Sequence, residues 1–426
     1  MKRGKRRNKQ IYFCKNCNKY FSRSLEKENK TTTKIIDRNN IIIDHLDGIS
    51  YRKLESRYKI GRTRLCEITN NQISKLENNF EITKRFLKQL NYSGNLVVDG
   101  KCIQVKEAIT KLYPIIGKVP KSRKHYGSRG NRVITWGIDY WKHDIPHFEF
   151  GESENGFVSD NYFRKLKSIN YPLISLTIDD RQEIARSAKR HYLDCVIQLC
   201  IRHYFTKISR KLSVGNIKMK IESKQKKIDN LFASKDSDCI PITRPRQIKL
   251  AAQLMNEILE LKFRYQILLD FQNIIQSILW APDYKTAIRR IESLKKHFWP
   301  KRFKMRSQYN KDYIRTVKKL INDFKEHQEY LLNYLKYPHL NIPHTTNMIE
   351  GLNSQLETRI NSIKGFELDE TAENYINAWI LKRRFSKYTD CKKSFKKLNG
   401  KTPLECAGVD ISNIRNWVSW CQNDIC

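Results

Sequence analysis

Leu173-Ile174-Ser175-Leu176-Thr177-Ile178-Asp179 is a short, nearly unbroken apolar run that follows Pro172 and stops on a carboxylate. That is the pattern of a strand buried on both faces of a sheet. Outward from it, Phe157 to Ile169 and Arg181 to Tyr192 read as helices, and Cys195 to Cys200 as a second buried strand. Upstream, Leu96 to Val98, Arg132 to Tyr140 and Ile145 to Phe150 are rich in β-branched and aromatic residues and are bounded by Gly94, Gly100, Gly137 and Gly151. The order is strand, hairpin, helix, strand, helix, strand, which predicts an α/β fold with a mixed sheet.

Downstream the texture changes. From Tyr204 to about Tyr337 the pattern is helical, and Leu250, Leu254, Ile258, Leu261, Tyr265, Leu268, Gln272 and Ile275 keep a helical period. Glu257, Glu260, Lys262, Arg264 and Asp270 interrupt it, which excludes a membrane span and predicts an all-helical insertion with one apolar stripe. Pro343 ends this block and leads into Thr345-Thr346-Asn347-Met348-Ile349-Glu350-Gly351-Leu352-Asn353. There Ile349, Leu352, Leu356, Ile360 and Ile363 form the stripe of a helix whose neighbouring face carries Glu350, Asn353 and Glu357. A last helix, Ala372 to Tyr388, and a tail close the sequence.

The charge balance names the class of partner. The 426 residues hold 82 Lys and Arg against 44 Asp and Glu, a formal net charge of +38, with 39% hydrophobic residues to build a core. Such an excess points to a polyanion, nucleic acid first, through phosphate neutralisation and counterion release. No run of about 18 apolar residues is present, and Met1 to Lys9 lack an apolar signal core, so a soluble, cytoplasmic and nucleoid-associated protein without a membrane partner is expected. Eleven cysteines, mostly scattered singly, fit a reducing compartment.

Two N-terminal signals speak to DNA. After the basic arm Lys2 to Lys9, Cys14-Lys15-Asn16-Cys17 has the spacing of one zinc-ribbon knuckle, a Zn²⁺ site that lacks a second pair of ligands nearby. Ile41, Ile42 and Leu46 then begin a short helix, Ser50 offers a cap for Tyr51 to Tyr58, and Lys59-Ile60-Gly61 breaks before Arg62-Thr63-Arg64-Leu65. Leu54, Tyr58, Ile60, Leu65 and Ile68 would fill the core of a helix-turn-helix, with Arg62, Thr63 and Arg64 at the start of a recognition helix.

Three carboxylates stand where phosphodiester chemistry could use them. Asp99 and Asp179 end apolar runs, and Glu350 opens a helix. Aspartates at the ends of adjacent strands can bridge two divalent cations about 3.5–4 Å apart, and Mg²⁺ or Mn²⁺ suits such hard oxygens. Each acid also has a plainer role. Asp99 before Gly100 could end a strand in a turn. Asp179 and Asp180 could cap the helix that follows, and Glu350, three residues after Asn347, has the spacing of a capping box. Gln198-Leu199-Cys200-Ile201-Arg202-His203 adds a Cys and a His three residues apart, an arrangement more often structural than metal-binding.

Taken together, Val98-Asp99-Gly100, Thr177-Ile178-Asp179 with Gln198, Cys200 and His203, and Thr345-Thr346-Asn347 with Ile349, Glu350, Gly351 and Asn353 resemble the Mutator-like DDE transposases of bacterial and archaeal insertion sequences. The resemblance runs from Leu96 to about Phe366. It implies an RNase H-like mixed sheet with a large helical insertion, and Asp99, Asp179 and Glu350 as ligands of two Mg²⁺ or Mn²⁺ ions. Cys200 and His203 would be a supporting pair beside them, with Asn347 in the glutamate motif. Asp180 stands where the family commonly has Gly and is held as a fallback ligand. The expected divisions are 1–37, arm and partial knuckle; 38–91, helix-turn-helix and connector; 92–203, first part of the core; 204–340, helical insertion; 341–388, second part of the core; and 389–426, tail.

The activity so implied is binding of the element's terminal inverted repeats, metal-dependent 3′-end cleavage and strand transfer into target DNA, with at least a homodimer holding the two ends. Two other classes fit the same residues. One is a transposase-derived DNA-binding protein without catalysis, and the other is a different RNase H-like nuclease such as a junction resolvase.

Overall fold

The computed structural model describes residues 2–6, 9–14, 19–23, 38–106, 130–152, 156–233, 243–297, 308–363 and 365–422. At the N-terminus, β1 (Lys2–Arg6), β2 (Lys9–Cys14) and β3 (Lys19–Arg23) form an antiparallel sheet in sequence order. The stretch read as a basic arm is therefore partly strand. Cys14 ends β2 opposite Lys19, and its intended zinc partner Cys17 lies outside the described residues.

Three short helices follow: α1 (Arg38–Leu46), α2 (Tyr51–Tyr58) and α3 (Arg62–Ile73). Ile41, Leu54 and Leu65 form their small core, with Tyr58 and Ile60 packed against it. Two readings need correcting. Ser50 stands at the start of α2 with extended backbone, yet its side chain makes no capping hydrogen bond. Ile68, read as part of the small core, is only half-buried and does not join it. Ile42 and Leu46 of α1 pack into the larger core with Ile376 and Ile380, because α1 is apolar on two faces. A fourth helix, α4 (Asn79–Arg85), is capped by the Asn78 side chain, which accepts from the Phe80 amide.

The central sheet comprises β4 (Asn95–Val105), β5 (Gly130–Asp139), β6 (Phe148–Gly151), β7 (Ser175–Ile178) and β8 (Val196–Leu199), in the spatial order β6-β5-β4-β7-β8. β4 runs antiparallel to β5 from Leu96↔Asp139 to Val105↔Gly130 and parallel to β7 from Asn95↔Ser175 to Val97↔Thr177. β5 and β6 make the expected hairpin, and β7 pairs parallel with β8. Gly94, with φ +78, directly precedes β4. A Cβ there would lie 2.1 Å from the Pro172 carbonyl oxygen, so the close approach of the chain before β7 demands glycine. The crossovers are α5 (Gly156–Ser168) and α6 (Gln182–His191).

Both faces of the sheet are covered, which explains why its strands read as continuous apolar runs. On one face Leu96, Val98, Leu176, Ile178, Ile197 and Leu199 share a core with α5, α6 and a helical block. That block consists of α7 (Ile201–Leu212), α8 (Val214–Ala233), α9 (Thr243–Leu279), α10 (Tyr284–His297) and α11 (Gln308–Lys336). On the other face Val97, Ile134, Trp136 and Ile138 pack against α12 (Asn347–Ile363) and α13 (Asp369–Phe385). The segment read as a tail contributes α14 (Pro403–Cys406) and α15 (Trp417–Cys421), and Leu404, Val418 and Cys421 are fully buried in the same core. Its elements are too short to show a period in sequence. Among the described residues no helix is long and apolar enough to cross a membrane.

Candidate active site

The sheet register places two of the acids. Side chains alternate along a strand, so Asp99 shares a face with Val97, and Asp179 continues the face of Thr177. Val97 and Thr177 are paired directly. Two residues further on, Asp99 and Asp179 stand level on the face that α12 covers. β7 stops at Ile178, so Asp179 lies just past the strand while β4 carries on beyond Asp99.

Helix α12 brings the third acid. Its entry is held by Thr177, whose hydroxyl donates to the Pro343 carbonyl, and by the Ile201 amide, which donates to the His344 carbonyl at 3.1 Å. Glu350 lies in the first turn, with its buried neighbours Ile349 and Leu352 facing the sheet. Asn353, one turn on, accepts from the Trp136 indole N–H at 2.9 Å and donates to Asp99 Oδ2 at 2.8 Å. The second Asp99 oxygen accepts from the Gly100 amide at 2.8 Å. Trp136 is fully buried, so it holds the Asn353 amide in one orientation and Asn353 in turn orients Asp99.

Thr346 ties the other two acids together. Its hydroxyl is 2.8 Å from Glu350 Oε1 and 3.3 Å from Asp179 Oδ1, so the two carboxylates stand two hydrogen bonds apart at most. It is also 3.2 Å from Cys200 Sγ and 3.1 Å from His203 Nδ1. Cys200 is the N-cap of α7 and accepts from the backbone amides of His203 and Thr346 at 3.5 and 3.4 Å. His203 Nδ1 contacts Asp179 Oδ1 closely and lies 3.7 Å from Glu350 Oε1. The Cys-His pair is therefore packed directly against two of the three acids.

Electrostatics follow from this crowding. Burial and the neighbouring charge of Asp179 push Asp99 up to about 6. Hydrogen bonds to Asp179 and Cys200 raise His203 to about 10, so the ring is cationic at neutral pH. Burial opposes the Cys200 thiolate, but the hydrogen bonds from His203 and Thr346 outweigh it and hold the thiol below its usual value. Three acids lie around one imidazolium and one hydroxyl proton, and the charges of Arg181 and His203 only partly offset the rise at Asp99.

The remaining sequence-picked residues sit as follows. Asp180 points to the helical block, where Lys207 Nζ at 2.6 Å and His327 Nε2 at 3.3 Å engage it. Asn347 Oδ1 accepts from Arg202 at 3.0 Å instead of capping its own helix. Glu350, weighed as part of a capping box, instead accepts from the Thr346 hydroxyl at 2.8 Å. Arg62, Thr63 and Arg64 are exposed at the start of α3, with Arg62 2.9 Å from Glu55 and Arg64 2.9 Å from Glu67. Sequence reasoning quoted Thr346 and Asn353 within a motif without giving either a role at the site. Asn353's spacing from Glu350, one turn along the same helix, was the available signal. Trp136 carried none, since an indole in an apolar strand reads as core.

No family model and no curated protein sequence matches this chain. Among solved structures, it is similar to a chain of the Drosophila P element transposase strand transfer complex at 12% identity and a TM-score of 0.40, with 87% of this chain and 95% of that chain covered.

Proposed function

We propose that this protein is a DNA transposase of the Mutator-like kind, which binds the terminal inverted repeats of its element, cleaves the 3′ ends and joins them to target DNA. The observation that carries the reading is the meeting of Asp99, Asp179 and Glu350, from three distant segments, on one face at the end of a mixed sheet in a chain of net charge +38. Nucleic acid as partner follows from that charge.

The acids suit hard divalent cations, Mg²⁺ or Mn²⁺, and Asp99, Asp179 and Glu350 are the residues that would hold them. The raised Asp99 is the sign of fit, because acids that repel one another are relieved by a shared cation. When bound, such ions activate the attacking water or 3′-hydroxyl and stabilise the leaving oxygen. The chain supplies the rest. Asn353 and the Gly100 amide fix the direction of the Asp99 carboxylate, and Thr346 fixes Glu350 relative to Asp179. His203 supplies local positive charge to Asp179, and Arg202 secures the opening of α12 through Asn347. Arg62, Thr63 and Arg64, exposed at one helix start, are the proposed sequence readers.

The test is cleavage of labelled duplexes carrying the element's own ends, with Mg²⁺ or Mn²⁺. Asp179→Ala and Glu350→Ala should each lower cleavage by roughly 10³-fold, the size of several kcal/mol of metal-supplied stabilisation, while end binding stays within a few-fold. Cleavage at the wild-type rate by either variant would refute the triad. Activity confined to branched DNA, without strand transfer, would select a resolvase-like nuclease.

A further inference from the structure

We infer that Asp179, Cys200, His203 and Thr346 form a second metal site, of softer donor chemistry than the carboxylate triad, fit for a single Zn²⁺ ion. Asp179, Cys200 and His203 each offer one ligand atom, and these atoms all lie within 4.8 Å of one another. A tetrahedral zinc ion with bonds of about 2.0–2.3 Å needs donors roughly 3.3–3.8 Å apart, so closing the cluster takes shifts of about 1 Å. Thr346 Oγ1 lies 3.3 Å from Asp179 Oδ1, 3.2 Å from Cys200 Sγ and 3.1 Å from His203 Nδ1. That is the position of a fourth vertex, where the hydroxyl or a water in its place would complete the tetrahedron.

The Thr346 hydroxyl has one proton, yet Asp179, Glu350 and Cys200 all present acceptors to it. It serves one of them at a time, while the His203 ring serves Asp179 and the backbone amides of His203 and Thr346 serve Cys200. The donor set decides which cation fits, because thiolate and imidazole select zinc over magnesium, and one thiolate, one imidazole and one carboxylate with an open fourth position is zinc chemistry. The Cys-His pair on its own is two ligands short. The end of β7 and the residue before α12 supply the others, which chain order hides.

Asp179 belongs to both sites, so the consequence is competition. Zinc held by Cys200 and His203 takes the carboxylate that the triad needs, and zinc therefore inhibits Mg²⁺-dependent chemistry.

The experiment uses the full chain carrying Cys14→Ser and Cys17→Ser, which removes the other zinc candidate. Co²⁺ is titrated in as a spectroscopic stand-in, and Zn²⁺ is measured by chelator competition and metal content. One equivalent of Zn²⁺ and a near-ultraviolet thiolate-to-cobalt band are expected. Asp99→Asn and Glu350→Gln should keep the band although they abolish the proposed cleavage, so the zinc site stands or falls separately from the catalytic reading. Cys200→Ser should lose the band. His203→Asn changes a side chain 39% exposed, where folding is least at risk, and should weaken Zn²⁺ by at least about 100-fold, the upper end of what losing even an outer partner of a metal site costs. No band, a band that survives Cys200→Ser, or unchanged Zn²⁺ affinity in His203→Asn would each overturn the proposal.

Discussion

Asn353 concentrates the logic of the site in one residue. Its carbonyl is committed to the Trp136 indole and its amide to Asp99, so it transmits the rigidity of the sheet core to the Asp99 carboxylate. Asn353→Leu keeps the volume and removes both bonds. Cleavage should fall roughly 10- to 100-fold, the usual effect of losing an orienting partner, with end binding unchanged in a gel-shift assay. The charge state of Asp99 gives a second expectation. Cation binding needs the carboxylate, and Asp99 is raised to about 6, above its usual range. Metal-dependent cleavage should therefore decline as pH falls through 6, toward a tenfold loss per unit. A profile flat from pH 8 down to pH 5 would remove Asp99 from the site.

Among the elements, α12 and α13 carry the burden of assembly, since Glu350 reaches the aspartates only if α12 is pressed on the sheet. Part of that clamp is a fully buried ion pair, in which Arg384 at the end of α13 bonds both Asp144 oxygens at 2.8 and 2.7 Å. The same guanidinium donates to Asn79 Oδ1 and Thr83 Oγ1 on α4, and Tyr92 donates to Asp144. Arg384→Met strands a buried carboxylate, and denaturant unfolding should show a loss of about 3–5 kcal/mol. Gly137 is a second tight point, where an added Cβ would lie 2.5 Å from the Tyr162 hydroxyl and 2.9 Å from Val98 Cγ2. Gly137→Ala should cost about 1–3 kcal/mol by overpacking between β5 and α5.

At the scale of the whole molecule, charge and buried histidines set the solution behaviour. With +38 net, DNA affinity should fall steeply with salt, and a log–log slope near zero would dismiss phosphate contact as the source of binding. Burial depresses His45 and His143 to about 4, with Arg383 adding to the effect at His143. Both are neutral in the fold and ordinary in the unfolded chain, so their contribution is fully present above about pH 6.5. It is lost as pH falls through 4, on the order of 3 kcal/mol for each. Asp99, raised instead of lowered, works in the opposite sense over pH 4–6. Burial also lowers His147 and His344 and raises Asp139 and Glu373, while against burial their partners lower Glu149 and Asp323. The groups that lose stability on acidification thus outnumber those that gain it, and the melting temperature should drop from pH 7 to pH 4.

What the sequence determined by itself was the order and kind of the central elements. β5 to β8 and the crossover helices lie within a few residues of the stretches from which they were read, because double-sided burial makes a strand uniformly apolar and helix periods survive over ten residues or more, whereas β4, read as Leu96 to Val98, runs on through Gly100 to Val105. The longest departure, the C-terminal segment, is built of elements too short for any period. The net charge of +38 also needed only composition. Tertiary structure decided which polar residues meet. Thr346 bridges positions 179, 200, 203 and 350, and Asn353 bridges 136 and 99, contacts spanning up to 254 residues of chain. Local spacing holds no record of them, since a threonine before a helix or an asparagine within one looks the same wherever it points. Asp180 is the converse, for just past the end of β7 the chain turns it to Lys207 and His327 while the adjacent Asp179 faces His203.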